Sequence, residues 1–197
     1  MSLAVEPLTG EALRGRLGDL ARLRIEVFRD YPYLYDGDLA YERRYLASFA
    51  SSRDAMIAVA SDDGVVVGAS TCAPLADQAP EIVTPFRAHG DNVADIFYFG
   101  ESVLRRSHRG RGIGVRFFDL REAHARSRGY GMSVFCAVVR PDMDPRRPAD
   151  HVSLDAFWAH RGYALLEGYQ CEIVWRELDE AEESAKRMQF WFRRLDA

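Results

Sequence analysis

Asp95-Ile-Phe-Tyr-Phe-Gly-Glu-Ser-Val-Leu104 leads through Arg105-Arg-Ser-His108 into Arg109-Gly-Arg-Gly-Ile-Gly114, and an amphipathic segment follows at once. The order reads as strand, glycine-rich turn, helix. Alternating glycines allow backbone dihedrals barred to residues with a Cβ, and they let a ligand approach the chain closely. A helix that opens just past such a turn aims its free N–H groups and positive dipole end into the adjoining space. The turn is therefore a candidate anion site, and phosphate is the usual anion. A merely solvated Gly/Arg turn has the same composition, so the surrounding pattern has to decide.

Three phosphate loops can be compared with it. A P-loop needs a lysine directly after its last glycine, and none stands there. A dinucleotide fingerprint needs Gly-x-Gly-x-x-Gly, whereas Gly110, Gly112 and Gly114 are spaced two and two. The third form is Arg/Gln-x-x-Gly-x-Gly, met by Arg109, Gly112 and Gly114. This closely resembles the acyl-CoA loop of the GNAT family of N-acetyltransferases. Members show an apolar-x-apolar strand end, a short gap, the loop, then a helix; Ser102-Val-Leu104 and Arg109 stand in those places. A later family block (Asn, a small residue, an apolar-Tyr pair, Gly-Phe) is similar to His151-Val-Ser-Leu-Asp-Ala-Phe-Trp-Ala-His-Arg-Gly-Tyr163. There His151 replaces the Asn, Leu154 the small residue and Trp158 the Tyr.

The whole chain agrees with an enzyme domain of that kind. Its 197 residues are expected to form a single acyltransferase domain over 1–197 with a substantial core. A net charge of −4 with both signs mixed argues against a nucleic-acid partner, the arginines near 105–111 being a local exception. No run approaches a membrane span, and Met1-Ser-Leu-Ala-Val-Glu-Pro7 lacks the regions of a signal peptide. Cys72, Cys136 and Cys171 are odd in number and sit in apolar, strand-like settings, so reduced buried thiols in a cytoplasmic protein are expected, with no metal site.

Periodicity predicts the remaining elements. Ala4–Leu8 reads as a strand, and Gly10–Arg29 as one helix with Leu13, Leu17, Leu20, Leu23 and Val27 on a face. A helix is predicted over Leu39–Ala50. A hairpin is predicted from Ala55–Ser61 to Val65–Cys72 around Asp62-Asp-Gly64. Glu81–Ala88 allows one helical turn. The helix from Gly112 to Arg128 packs Ile113, Phe117, Leu120 and His124 on a sheet, and Ser133–Val139 reads as a buried parallel strand. Arg140–Asp150 is a loop, and Leu154–His160 a short helix capped by Ser153. Tyr169–Arg176 and Met188–Leu195 are strands joined by an exposed acidic linker, Glu177–Glu183. The apolar run Met188–Phe192 suits a core strand, a sheet edge or a homodimer contact. The resemblance implies an α/β (α+β) fold: a mixed, mostly antiparallel twisted sheet of about seven strands with helices on both faces. Its two parallel strands would splay apart at the acyl-CoA site.

The resemblance also assigns roles. Acetyl-CoA would be the co-substrate. Backbone groups of Ser102, Val103 and Leu104 would pair with pantetheine like an added strand. Backbone N–H groups of Arg109, Gly110, Arg111, Gly112, Ile113 and Gly114 would hold the pyrophosphate, with the Arg109 or Arg111 guanidinium nearby. His151 stands where the family's Asn reaches the cofactor; a loop histidine without a ligand is the plainer reading. Glu101 is the expected base, because burial in an apolar strand favours its protonated form and several members place an acid there; a pair with an arginine such as Arg105 would explain it as well. Trp158 cannot act as an acid, so Tyr163, Tyr169 or Cys136 would protonate the thiolate, or it leaves unaided. Tyr98 would orient the acceptor or fill the core. The acceptor, a small-molecule amine or a protein amine, would meet Tyr31–Asp38, Leu75–Asn92 and Arg140–Asp150, where Arg140, Arg146 and Arg147 suit a carboxylate or phosphate. The alternative from another class is a non-catalytic acyl-CoA-binding sensor.

Overall fold

The computed structural model describes residues 3–195; Met1 and Ser2 of the N-terminal reading lie outside them. In chain order the elements are β1 (Leu3–Leu8), α1 (Gly10–Arg14), α2 (Leu17–Phe28), α3 (Leu39–Ser51), β2 (Met56–Asp62), β3 (Val65–Pro74), α4 (Pro80–Ala88), β4 (Ile96–Leu104), α5 (Ile113–Ser127), β5 (Met132–Val138), α6 (Asp155–His160), β6 (Ala164–Trp175) and β7 (Ser184–Arg194). One seven-stranded sheet runs β1-β2-β3-β4-β5-β7-β6. Every neighbouring pair is antiparallel except β4 with β5. The mixed sheet expected from the resemblance is the one found.

Side-chain alternation along β2 sorts the core into two faces. Met56, Ala58 and Ala60 join Ile113, Phe117, Phe118 and Ala125 under α5. Ile57 and Val59 join Leu13, Leu20, Leu23 and Leu46 under α1, α2 and α3. A third cluster packs Ile82 and Phe86 of α4 against Tyr98, Val134, Trp175 and Phe190 at the far end of the sheet.

Local departures from the sequence reading have physical causes. The single helix over Gly10–Arg29 is two, parted at Gly15 and Arg16, where glycine weakens a helix interior. Glu81–Ala88 belongs to a nine-residue helix started by Pro80, a good first helical residue. Ser153 accepts the Asp155 N–H at 3.2 Å from outside the cap position, which Leu154 occupies. On α5 the buried stripe turns from Leu120 toward Arg121, whose guanidinium lies between the Phe99 and Phe118 rings. The run Met188–Phe192 lies in β7, which pairs with β5 on one side and β6 on the other, so it is not a sheet edge.

The acidic linker is not simply exposed. Glu177 is 2 % exposed. Arg140 donates to its Oε1 at 2.6 Å, Arg146 to its Oε2 at 2.5 Å, and Tyr35 pairs with it as an isolated bridge. Arg140 also donates to the carbonyls of Pro32 and Tyr33. The segments 31–35, 140–146 and 177–180 are thereby tied into one charged knot.

Candidate active site

The site begins where β4 and β5 part. They pair only at Ile96↔Met132, Phe97↔Ser133 and Tyr98↔Val134. Past Tyr98, β4 keeps its antiparallel bonding to β3 (Ser70↔Ser102, Ala69↔Val103, Gly68↔Leu104) and shares no further register pair with β5. The edge carrying Ser102, Val103 and Leu104 is thus free of β5, as an added strand requires. Ser102 is exposed, Val103 buried and Leu104 half-buried; the Ser102 hydroxyl meets that of Ser70 at 2.6 Å.

The glycine turn joins this edge to α5. Gly110 and Gly112 take φ of 73° and 77°, left-handed values that L-residues with a Cβ resist. A Cβ at either would meet nothing within 4 Å, so the space beside the turn is open. Gly114 lies inside the helix with no positive φ, and two of the three glycines carry the conformational demand. Gly112 caps α5 without a side-chain bond, and Arg116 N–H is the one that reaches back to its carbonyl, at 3.1 Å. The amides of Ile113, Gly114 and Val115 therefore open toward the turn, with the positive end of a fifteen-residue helix behind them. The Ile113 side chain is core. Arg109 is exposed and its Nε rests on the Leu104 carbonyl at 3.3 Å. Arg111 lies 3.6 Å and His108 3.2 Å from Asp62 at the end of β2, so the hairpin carboxylate braces the turn. In the sequence Asp62 reads only as a residue of the hairpin turn.

Glu101 sits on β4 with its side chain 4 % exposed. Between Ser70↔Ser102 and Cys72↔Phe99 the register slips, so Gly100 and Glu101 together oppose Thr71. This β-bulge turns Glu101 away from the α5 face, where Phe97 and Phe99 pack, and onto the α2–α3 face. Gly100 makes the bulge possible, because a Cβ there would overlap the Thr71 hydroxyl. The partner of Glu101 is Arg24, at 2.7 Å from Oε2, whereas Arg105 pairs with Glu26 at 3.0 Å. Tyr45 donates its hydroxyl to the same Oε2 at 3.4 Å. Arg24 also holds Glu42, which is completely buried. Burial works against the Arg24 charge; Glu101, Tyr45 and Glu42 outweigh it and hold its pKa above the ordinary value. Nothing in a lone sequence links residues 24, 42 and 101.

The candidate proton donors fall in different places. Tyr163 is buried, bonded to Ser133 at 3.0 Å and to Glu122 at 3.3 Å, and burial followed by the Glu122 charge pushes its pKa up. Tyr169 donates to Asp91 at 2.8 Å and stacks on His89. Cys136 is half-buried on β5, two residues past the last β4–β5 pair, while Cys72 and Cys171 are buried. Its Sγ lies 3.3 Å from the Tyr98 hydroxyl. Hydrogen bonding from Cys171, with help from Tyr98, lowers the Cys136 pKa against its burial. Trp158 packs on Phe135 and Trp191. His151 packs edge-on against Tyr31, its pKa lowered by burial and by Arg147. Its neighbour Asp150 pairs with Arg106 at the start of the turn.

Of the expected acceptor segments, Tyr31–Asp38 lines an open cleft, and Gln78 of Leu75–Asn92 lies with Tyr45, Tyr98 and Gly100 around a small hollow. A cavity of about 460 Å³ is lined by Tyr35, Asp36, Asp38, Tyr41, Trp175 and Glu183, among others. Arg140 and Arg146 are spent on Glu177, while Arg147 is exposed. Among the described residues no group of three His, Cys, Asp or Glu could hold a metal ion, and no helix is long and apolar enough to cross a membrane.

Comparison with known proteins places this geometry. Ribosomal-protein-alanine N-acetyltransferase from Brucella melitensis superposes with a TM-score of 0.63 at 16 % identity, over 98 % of this chain and 99 % of that one. An N-acetyltransferase from Staphylococcus aureus gives 0.59 at 14 % identity over the whole of both chains. An inferred acetyltransferase from Salmonella typhimurium, solved with its cofactor acetyl-CoA, gives 0.61 at 10 % identity, over 100 % of this chain and 95 % of that one. These likenesses are of fold. No curated protein matches the chain by sequence. A family model does: residues 20–149, well over half of the chain and including β4, the glycine turn and α5, match the Acetyltransferase (GNAT) family, and the chain belongs to it.

Proposed function

We propose that the chain, acting as a single domain, transfers the acetyl group of acetyl-CoA to a primary amine by direct attack in a ternary complex. The observation that carries this reading is the parting of β4 and β5 one pair past Phe97↔Ser133, beside a turn whose glycines leave helix amides open. Family membership supports the acetyl donor.

The residues suit the steps. The free edge of Ser102–Leu104 would bind the pantetheine amides, and the amides of 109–114 the pyrophosphate. His151 lies on the segment joined to the turn through Asp150 and Arg106. The amine nitrogen attacks the thioester carbonyl, and Glu101 takes the proton that the nitrogen must lose. N–H groups near Leu104 would stabilise the tetrahedral oxyanion. The C–S bond then breaks, giving the acetamide and CoA thiolate. Cys136, on β5 two residues past the last pair with β4, is our candidate to return a proton to that sulfur.

Thermal unfolding with acetyl-CoA, CoA or ATP tests the cofactor step. A ligand at 100 times its Kd stabilises by about 2.7 kcal/mol. We expect a shift with the CoA species that Gly112→Trp abolishes; no shift would overturn the reading. Thiol release from acetyl-CoA with spermidine, an aminoglycoside, free amino acids and an alanine-terminated peptide then tests transfer. Tight binding without turnover of any amine would favour the sensor, for which the Tyr-to-Trp replacement at 158 speaks.

A further inference from the structure

Glu101 is held by one oxygen only. Arg24 Nη1 and the Tyr45 hydroxyl both meet Oε2, while Oε1 is buried and has no hydrogen-bond partner. A buried acceptor without a donor is costly, and native structures rarely leave one without a reason. The asymmetry has a source. Arg24 lies 11 % exposed between two carboxylates and turns Nε and Nη2 to Glu42, which leaves Nη1 alone for Glu101. With both carboxylates ionised the trio carries one negative charge more than positive. The guanidinium also stacks over the Tyr45 ring at 4.6 Å and lies over Phe28 at 5.1 Å, so its plane has little freedom.

We propose that Arg24 is the positioning residue of Glu101: it fixes Oε2 and leaves Oε1, buried and without a donor, as the oxygen that an incoming N–H would meet. The proposal rests on the reading above, in which Glu101 accepts the amine's proton. Arg24 and Glu42 set opposite biases. The guanidinium favours the ionised form of Glu101, and the second carboxylate both competes for that guanidinium and repels the charge. Other titratable groups that act on this cluster are Tyr41 and Tyr45 of α3, Tyr33 and Tyr35 after α2, and Arg121 of α5. Any ion pair moves the titration of Glu101; a positioning role also moves, in the same order across the variants, the pH dependence of kcat/KM for an amine that turns over, which is recorded on the same variants.

The experiment is a ¹³C NMR titration of the Glu101 side-chain carboxyl, assigned by its disappearance in Glu101→Gln, on the full chain. In Arg24→Met the midpoint is expected to rise by about one pH unit or more. Arg24→Lys should fall between Met and wild type, since it keeps the charge without the fork. Glu42→Gln should move the midpoint down. Arg24→Met strands two carboxylates and could fail to fold; Glu42→Gln and Arg24→Lys then decide. Midpoints equal to wild type in these two, or shifts in the same direction, would overturn the proposal. Stabilisation by acetyl-CoA is measured on the same samples. Its absence in wild type would sink the acetyl-transfer reading whatever the titration gives, and its presence with unmoved midpoints would sink the role of Arg24 alone.

Discussion

The Tyr98 hydroxyl lies 3.3 Å from the Sγ of Cys136, joining β4 to β5 just where their pairing ends. The contact lowers the Cys136 pKa, second to the hydrogen bonding from Cys171. Tyr98→Phe should therefore raise the pH at which Cys136 is alkylated by iodoacetamide, and Cys171→Ala should raise it further. Unchanged alkylation profiles in both would show that the thiol is set by burial alone. If Cys136 protonates the departing thiolate, Cys136→Ala should lower kcat with little change in KM for acetyl-CoA.

Gly100 and Thr71 form a second coupled pair. A methyl group at 100 would overlap the Thr71 hydroxyl, so Gly100→Ala should cost about 1–3 kcal/mol, the usual range for overpacking. Thr71→Ala in the same chain should recover part of that loss. Denaturant unfolding of the two single variants and the double variant measures the coupling, and strict additivity would count against the bulge as drawn.

Glu177 is buried against Arg140 and Arg146. Removing Arg140 strips Oε1 of its donor while Arg146 stays on Oε2 and Lys186 lies 3.8 Å away, so Arg140→Met should cost on the order of 1–3 kcal/mol, the usual penalty for a buried acceptor left without its donor. Arg140 also serves two carbonyls of the 31–35 segment, and limited proteolysis should begin there in the variant. A loss under about 1 kcal/mol, typical of exposed pairs, would mean that the knot is solvated.

Asp144 supplies a pH dependence with a definite sign. The hydrogen bonds from Arg146 hold its pKa at about 2, below the ordinary 3.8. Between these values the unfolded chain binds more protons than the native one, so stability falls as pH drops through that window and is intact above it. The full contribution is on the order of 2 kcal/mol. Asp144→Asn should flatten the acid limb of an unfolding curve taken from pH 5 to 2, and an unaltered limb would rule the contribution out.

Gly112 separates stability from binding. With φ at 77° and open space around it, Gly112→Ala should cost only about 1–2 kcal/mol of backbone strain. Gly112→Trp adds bulk on the side where a phosphate would sit, and should abolish stabilisation by acetyl-CoA. Equal acetyl-CoA shifts in wild type and Gly112→Trp would place the nucleotide elsewhere.

The strand, turn and helix over 95–128 were legible in the chain because their signals are local, whereas β6 and β7 begin at Ala164 and Ser184, ahead of the apolar runs that mark them in the sequence. The apolar run to Leu104, the glycine spacing of 110–114 and the stripe of Ile113 and Phe117 each depend on residues a few places apart, and all lie as expected. The hairpin around Asp62–Gly64 is equally local. Relations across the fold were decided by tertiary structure alone. Glu101 had to be buried to interest chemistry, yet which arginine meets it depends on a bulge that reverses one side chain and on α2 and α3 lying over that face. Arg24 and Glu42, far apart in the chain, read as ordinary surface charges of amphipathic helices. Glu177 reads as part of a solvated acidic turn until Arg140 and Arg146 close over it. Periodicity reports which face of an element is apolar, because burial repeats with the geometry of helix and strand. It carries no information about which buried charge meets which, since that is set by the packing of whole elements.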